Sequence, residues 1–83
     1  MKIYDYKGKA NIVGPLIKQT RKKQKMSQDT LAAKLQLEGI EVSQKVISRI
    51  EKQERFVTDY ELLAFSKILN IDLYQLLKSV NPD

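Results

Sequence analysis

The chain has 83 residues, with 15 Lys and Arg against 10 Asp and Glu for a formal net charge of +5, and it contains no Cys, His or Trp. A chain this short forms one domain with a small core, because a fold of ~60 residues hides only about 60% of the surface its unfolded form exposes. Without Cys or His, disulfides, zinc sites, thiol nucleophiles, imidazole acid-base catalysis and hydrolase triads are excluded.

The longest uninterrupted apolar stretch, Leu62 to Phe65, falls far short of the ~20 residues of a membrane span, and the N-terminus lacks the apolar core of a secretory signal. The expectation is a soluble, cytoplasmic protein with no cofactor. Its charge is uneven. Up to Lys25 there are Lys2, Lys7, Lys9, Lys18, Arg21, Lys22, Lys23 and Lys25 against Asp5 alone, whereas Met26 to Arg55 is neutral and the remainder slightly acidic. Such polarity suits a polyanionic partner, nucleic acid or an acidic membrane surface, although a hydrated helix face explains a lone lysine run more simply.

In chain order, residues 1–11 read as an N-terminal arm and 12–80 as a helical body. Ile3, Tyr4 and Tyr6 stand among lysines, a pattern that fits a disordered arm, an edge strand or an additional dimer contact alike. A first helix is predicted over 13–25, with Ile12, Val13, Leu16 and Ile17 inward and Lys18, Lys22 and Lys23 outward. Either Asn11 or Gly14 caps it, since Pro15 sits most easily in a first turn. The next four starts share one device, an apolar residue before the N-cap that folds over another apolar residue five positions on. Met26-Ser27 with Leu31, Val42-Ser43 with Ile47, Val57-Thr58 with Leu62 and Ile71-Asp72 with Leu76 each supply it. Thr58 with Glu61 and Asp72 with Gln75 also have the spacing of capping boxes. Apolar residues then recur at helical spacing: Leu31, Ala32, Leu35; Val46, Ile47, Ile50; Leu62, Phe65, Leu69; Leu73, Leu76, Leu77, Val80. The predicted spans are 28–37, 44–52, 59–69 and 73–79, with Gly39 and Asn70 as left-handed stops.

A second and third helix so close together invite comparison with the helix-turn-helix, in which a recognition helix enters the DNA major groove. The third helix turns Val46, Ile47 and Ile50 toward the core, leaving Gln44, Lys45, Ser48, Arg49 and Lys52 outside. Gln and Arg carry the forked geometry that reads adenine and guanine edges, and Lys donates to guanine or phosphate. An ordinary amphipathic helix with a polar outer face has the same pattern.

The order and spacing of four segments narrow the choice. Arg21 is followed by Ser27-Gln28-Asp29-Thr30-Leu31-Ala32-Ala33-Lys34-Leu35, then Val46-Ile47-Ser48-Arg49-Ile50-Glu51, then Leu62 to Leu69 and Ile71-Asp72-Leu73. From about Ile12 to Leu77 the chain resembles the Cro/repressor-type, lambda-repressor-like helix-turn-helix family. That resemblance implies an all-α domain of five helices with the helix-turn-helix at helices two and three. It implies that Gln28 anchors a phosphate at the start of the second helix, helped by free N–H groups there. It places Gln44, Lys45 and Arg49 at base-reading positions with Ser48 as a lesser contact, Lys52 and Arg55 on distant phosphates, and Arg21 with Glu51 as a structural ion pair. Two departures from the family pattern stand out. Gln36 to Val42 is longer than the usual turn of three or four residues. The second helix is read as running toward Glu38 and stopping at Gly39. Gln53 occupies a position where glycine commonly ends the third helix, so it must adopt a left-handed conformation or the loop must leave differently.

The leading expectation is a sequence-specific regulator of transcription that binds double-stranded DNA, as a homodimer. A rival is a protein interaction module, an adaptor or antitoxin-like partner, using Tyr60, Leu73 and Tyr74. Enzymatic activity on a small-molecule substrate is not expected, because no paired acid-base arrangement exists and five small helices leave little room for a pocket. Membrane binding by Lys22 to Lys25 lacks the bulky apolar flank it needs.

Overall fold

A computed structural model describes residues 6–78. Five helices follow in the predicted order: α1 Gly14–Lys23, α2 Gln28–Leu37, α3 Gln44–Glu51, α4 Asp59–Leu69 and α5 Leu73–Lys78. The fold is the expected all-α arrangement of five helices, with α2 and α3 joined by the longer turn. Ile3, Tyr4, Val80 and the predicted extension of the last helix to residue 79 lie outside the described residues.

The helix starts follow from their caps. The hydroxyl of Ser27 accepts from the Thr30 amide at 3.0 Å, that of Ser43 from Val46 at 3.2 Å, and that of Thr58 from Glu61 at 3.2 Å. The Thr58 amide donates back to the Glu61 carboxylate at 3.0 Å, closing the predicted capping box. These bonds satisfy amides that the first turn of a helix leaves without carbonyl partners.

α1 begins differently. Val13 precedes it in near-helical conformation without a side-chain cap, while Asn11 Oδ1 accepts from the Gly14 amide at 2.8 Å. The same Asn11 amide donates to the Ile50 carbonyl at 2.9 Å and to the Arg55 carbonyl at 2.8 Å. One buried side chain therefore joins the start of α1 to the end of α3. The absence of a side chain at Gly14 permits that approach, since a Cβ there would lie 2.3 Å from the Ile50 carbonyl oxygen.

Helices α1 to α4 end in one way, with a left-handed residue followed by a long bond back into the last turn. After α2 the residue is Gly39 at φ 83°, and the Ile40 amide reaches the Leu35 carbonyl at 2.9 Å. After α4 it is Asn70 at φ 57°. After α1 and α3 the left-handed residues are Lys25 at φ 55° and Gln53 at φ 63°. The first helix stops at Lys23 rather than running to 25, because Lys25 turns the chain and the Met26 amide closes on Arg21 at 3.0 Å. Of the two exits open to Gln53, the chain takes the left-handed one. Gln53 Nε2 donates to the Asn11 carbonyl at 3.0 Å, and its own carbonyl accepts from Ala10 at 3.0 Å.

Packing joins the helices over one core. Ile17, Leu31, Leu35, Ile47, Ile50, Phe65, Leu69 and Leu76 are fully buried. α2 and α3 make the most extensive helix pair, and Ile40 and Val42 of their connection join the same core. The longer turn is thus anchored to the domain. Ahead of α1, Tyr6 to Lys9 form a tight turn with Lys7 and Gly8 both at positive φ and paired amides and carbonyls at 2.7 and 3.0 Å. That geometry is the two-residue turn of a β-hairpin.

Candidate nucleic-acid interface

The outer face of α3 is set by what its inner face buries. Ile47 and Ile50 have no exposed surface and Val46 is half-buried. At 3.6 residues per turn, that leaves Gln44, Lys45, Arg49 and Lys52 exposed, with Ser48 half-buried between them. Three long cationic side chains and an amide therefore share one short rod.

The start of the rod is linked to the middle of the domain by an unbroken run of side-chain hydrogen bonds. Gln44 Nε2 donates to Gln28 Oε1 at 2.5 Å, and Gln28 Nε2 donates to Glu51 Oε1 at 2.9 Å. Glu51 is gripped from behind by Arg21, whose Nε meets Oε2 at 2.7 Å and whose Nη2 meets Oε1 at 3.0 Å. Arg21 Nη1 also donates to the Met26 carbonyl at 2.7 Å. The Arg21 and Glu51 side chains are 9% and 2% exposed, so this is a buried pair in which each nitrogen and each oxygen has a hydrogen-bond partner. Removing one member would strand the other charge.

At the far end of the rod the predicted phosphate contacts divide. Lys52 is exposed. Arg55 is instead half-buried, with Nη1 on Glu61 Oε1 at 2.6 Å and on the Phe56 carbonyl at 2.8 Å. Its guanidinium also lies 5.0 Å from the Phe56 ring centre. Burial alone would push the Glu61 carboxyl up, but the Arg55 bond and charge and the two Thr58 bonds outweigh it. The carboxyl is held below its ordinary value of 4.5. Arg55 thus ties the α3–α4 loop to the capping box of α4.

Sequence reasoning passed over several of these partners. Asn11 was legible as a helix cap, but nothing local announces bonds reaching 39 and 44 residues along the chain. Glu61 was legible in its capping box but not as the partner of Arg55. Opposite charge was the only available signal, and it fits many pairs. Gln28 and Gln44 were each legible, whereas their contact depends on how the turn packs α2 against α3.

Residues 17–76 match the family described as helix-turn-helix, the DNA-binding Cro-type group, which covers more than half of the chain. Among curated proteins and among solved structures, none matches the chain.

Proposed function

The chain belongs to the helix-turn-helix family, and from that premise we propose that it is a sequence-specific regulator of transcription whose α3 reads the major groove of double-stranded DNA. The observation that carries this reading is the outward set Gln44, Lys45 and Arg49 on a helix whose opposite face is fully buried. In this reading those three side chains meet base edges and Ser48 lies close enough to assist. Gln28 takes a phosphate with the N–H that Glu51 leaves free, beside the open amides of the first turn of α2. Lys52 neutralises a phosphate beyond α3. Arg55 serves the same strand by shaping the loop, reaching a phosphate only with the donors that Glu61 and Phe56 do not occupy.

We infer a homodimer, because one short helix reads few base pairs and two-fold symmetry doubles the site with half-sites ~34 Å apart. Support comes from apolar side chains left open on the last two helices: Tyr60 is 61% exposed, Leu63 60%, Tyr74 68% and Leu77 47%. The dimer would act in the cytoplasm, on the nucleoid. No described helix is long and apolar enough to cross a membrane.

Duplexes selected from a random pool, titrated at several salt concentrations, test the reading. With about six phosphates neutralised, log affinity falls with log salt at a slope near −5. Arg49→Ala relaxes base preference by about 1–3 kcal/mol. A flat salt response eliminates the proposal. A protein that stays monomeric on DNA eliminates the dimer.

A further inference from the structure

The turn ahead of α1 takes no part in the proposed reading by α3, yet it is fastened to the end of that helix. We propose that residues 6–9 are a second DNA contact, a rigid turn that presents Lys7 and Lys9 to backbone phosphates flanking the site that α3 reads. This inference rests on the reading of α3 as the helix that enters the major groove.

The turn is rigid, attached and open. Tyr6 and Lys9 exchange both backbone hydrogen bonds, at 2.7 and 3.0 Å, around Lys7 at φ 53° and Gly8 at φ 83°. Two successive positive φ angles make the tight hairpin turn, which holds its tip in one shape. The Ala10 amide then donates to the Gln53 carbonyl at 3.0 Å, Gln53 Nε2 donates to the Asn11 carbonyl at 3.0 Å, and Asn11 Nδ2 reaches the carbonyls of Ile50 and Arg55. The backbone bond from Ala10 to Gln53 sets the turn beside the loop that leaves α3, with Lys9 and Lys52 each one residue away from it. All four residues of the turn are exposed, and a Cβ at Gly8 would meet no atom within 4 Å. At Gly8 the tip stands clear of the domain.

Charge selects the partner. Within 6–10 and 52–54 the charged residues are Lys7, Lys9 and Lys52 against the exposed Glu54, a surplus of positive charge. The Lys7 ammonium lies 5.5 Å from the Tyr6 ring centre, on the turn itself. An ammonium is a compact point charge that meets a phosphate whatever the neighbouring base, and it lacks the fork that reads a base edge. The major groove is walled by phosphates, so a loop leaving a helix seated there passes the backbone, and a turn fastened to that loop stands over the same backbone. A turn whose shape is set beforehand gives up little freedom on contact. Its contribution is therefore affinity, the same for every sequence.

Affinities for a selected duplex and for one of unrelated sequence, at several salt concentrations, test this. The double variant Lys7→Gln with Lys9→Gln should weaken both duplexes by about tenfold at ~0.1 M salt and make the slope of log affinity against log salt shallower by about 2. Gly8→Val keeps every charge but sets a β-branched residue at φ 83° where it touches no neighbour, so it disturbs the shape of the turn alone. It should weaken both duplexes about threefold. Unfolding midpoints should stay within about 2 °C of the wild type, since Asn11 and Gln53 are untouched. Unchanged affinity and slope in the double variant overturn the inference while the reading of α3 stands. A loss confined to one duplex also overturns it, because that is base reading, and so does a Gly8→Val protein that binds as tightly as the wild type, because the lysines then act through net charge alone. A wild type that binds no duplex overturns both.

Discussion

The two ends of α3 are held by different kinds of contact. At its start, the Ser43 hydroxyl caps the first turn and Gln44 leans on Gln28, all of it at or near the surface. At its end, the Ile50 carbonyl takes the buried Asn11 amide, Gly14 lies against the same backbone, and Arg21 grips Glu51. A hydrogen bond open to water contributes little net stability, whereas a buried group that loses its partner costs its full desolvation. The end of the helix is therefore its anchor, and under the proposed function the start is its reading head. Substitutions at the end should lower stability and those at the start should alter recognition.

Gly14→Ala should produce the largest effect. The added methyl would sit 2.3 Å from a backbone carbonyl oxygen, which cannot move aside as a flexible side chain can. Either α1 lifts from α3 or the last turn of α3 distorts, at a cost of about 3 kcal/mol. Urea unfolding measures it. A loss below about 1 kcal/mol would show that α1 and α3 separate freely, and the contrast between the two ends would disappear.

Asn11→Ala comes next. It removes the partners of the Ile50 and Arg55 carbonyls and the Gly14 amide at once. Water can reach part of this cluster, so about 2 kcal/mol is expected rather than the sum of three buried losses. Gln28→Met, at the other end, should shift unfolding by less than about 1 kcal/mol. Equal effects for the two would break the comparison.

A smaller contribution sits just beyond the anchor, at Arg55 and Glu61. The folded Glu61 carboxyl is held below its ordinary 4.5. Its stabilisation is complete above that value and is lost as pH falls through the folded pKa. Glu61→Gln should cost about 1–2 kcal/mol at neutral pH and narrow toward the wild type below pH ~4. Unfolding curves taken across this range check the sign. A gap that widens on acidification would assign the loop's integrity to another group.

The helix starts were legible because a cap is local: Ser27, Ser43 and Thr58 each act on an amide three residues away. The outer face of α3 was legible for the same reason, since helical periodicity turns Gln44, Lys45 and Arg49 outward once Ile47 and Ile50 are buried. Gly39 and Asn70 announced their stops by residue type. Lys25 and Gln53 carry no such mark, yet both adopt the conformation that glycine prefers. The turn at Lys25 is closed by the Met26 amide on the Arg21 carbonyl, and at Gln53 a tertiary contact is added, its side chain donating to the Asn11 carbonyl. The run of hydrogen bonds from Glu51 through Gln28 to Gln44 was illegible for a related reason. It exists only when three side chains from two helices meet across the turn.

These two unmarked stops provide the finest test of the difference between a surface and an anchored position. A non-glycine residue in the left-handed region costs ~1–2 kcal/mol, and glycine returns part of this gain as unfolded-chain entropy. At Lys25, whose side chain is exposed, the balance favours glycine. Lys25→Gly should raise stability by about 0.5–1 kcal/mol. Gln53→Gly gains the same relief but forfeits the bond to the Asn11 carbonyl, worth about 0.5–1.5 kcal/mol, so its net change should be close to zero. Thermal unfolding of the two variants side by side isolates that single bond. An equal rise in both would mean that Gln53 adds nothing to the anchor and that Asn11 holds the end of α3 unaided.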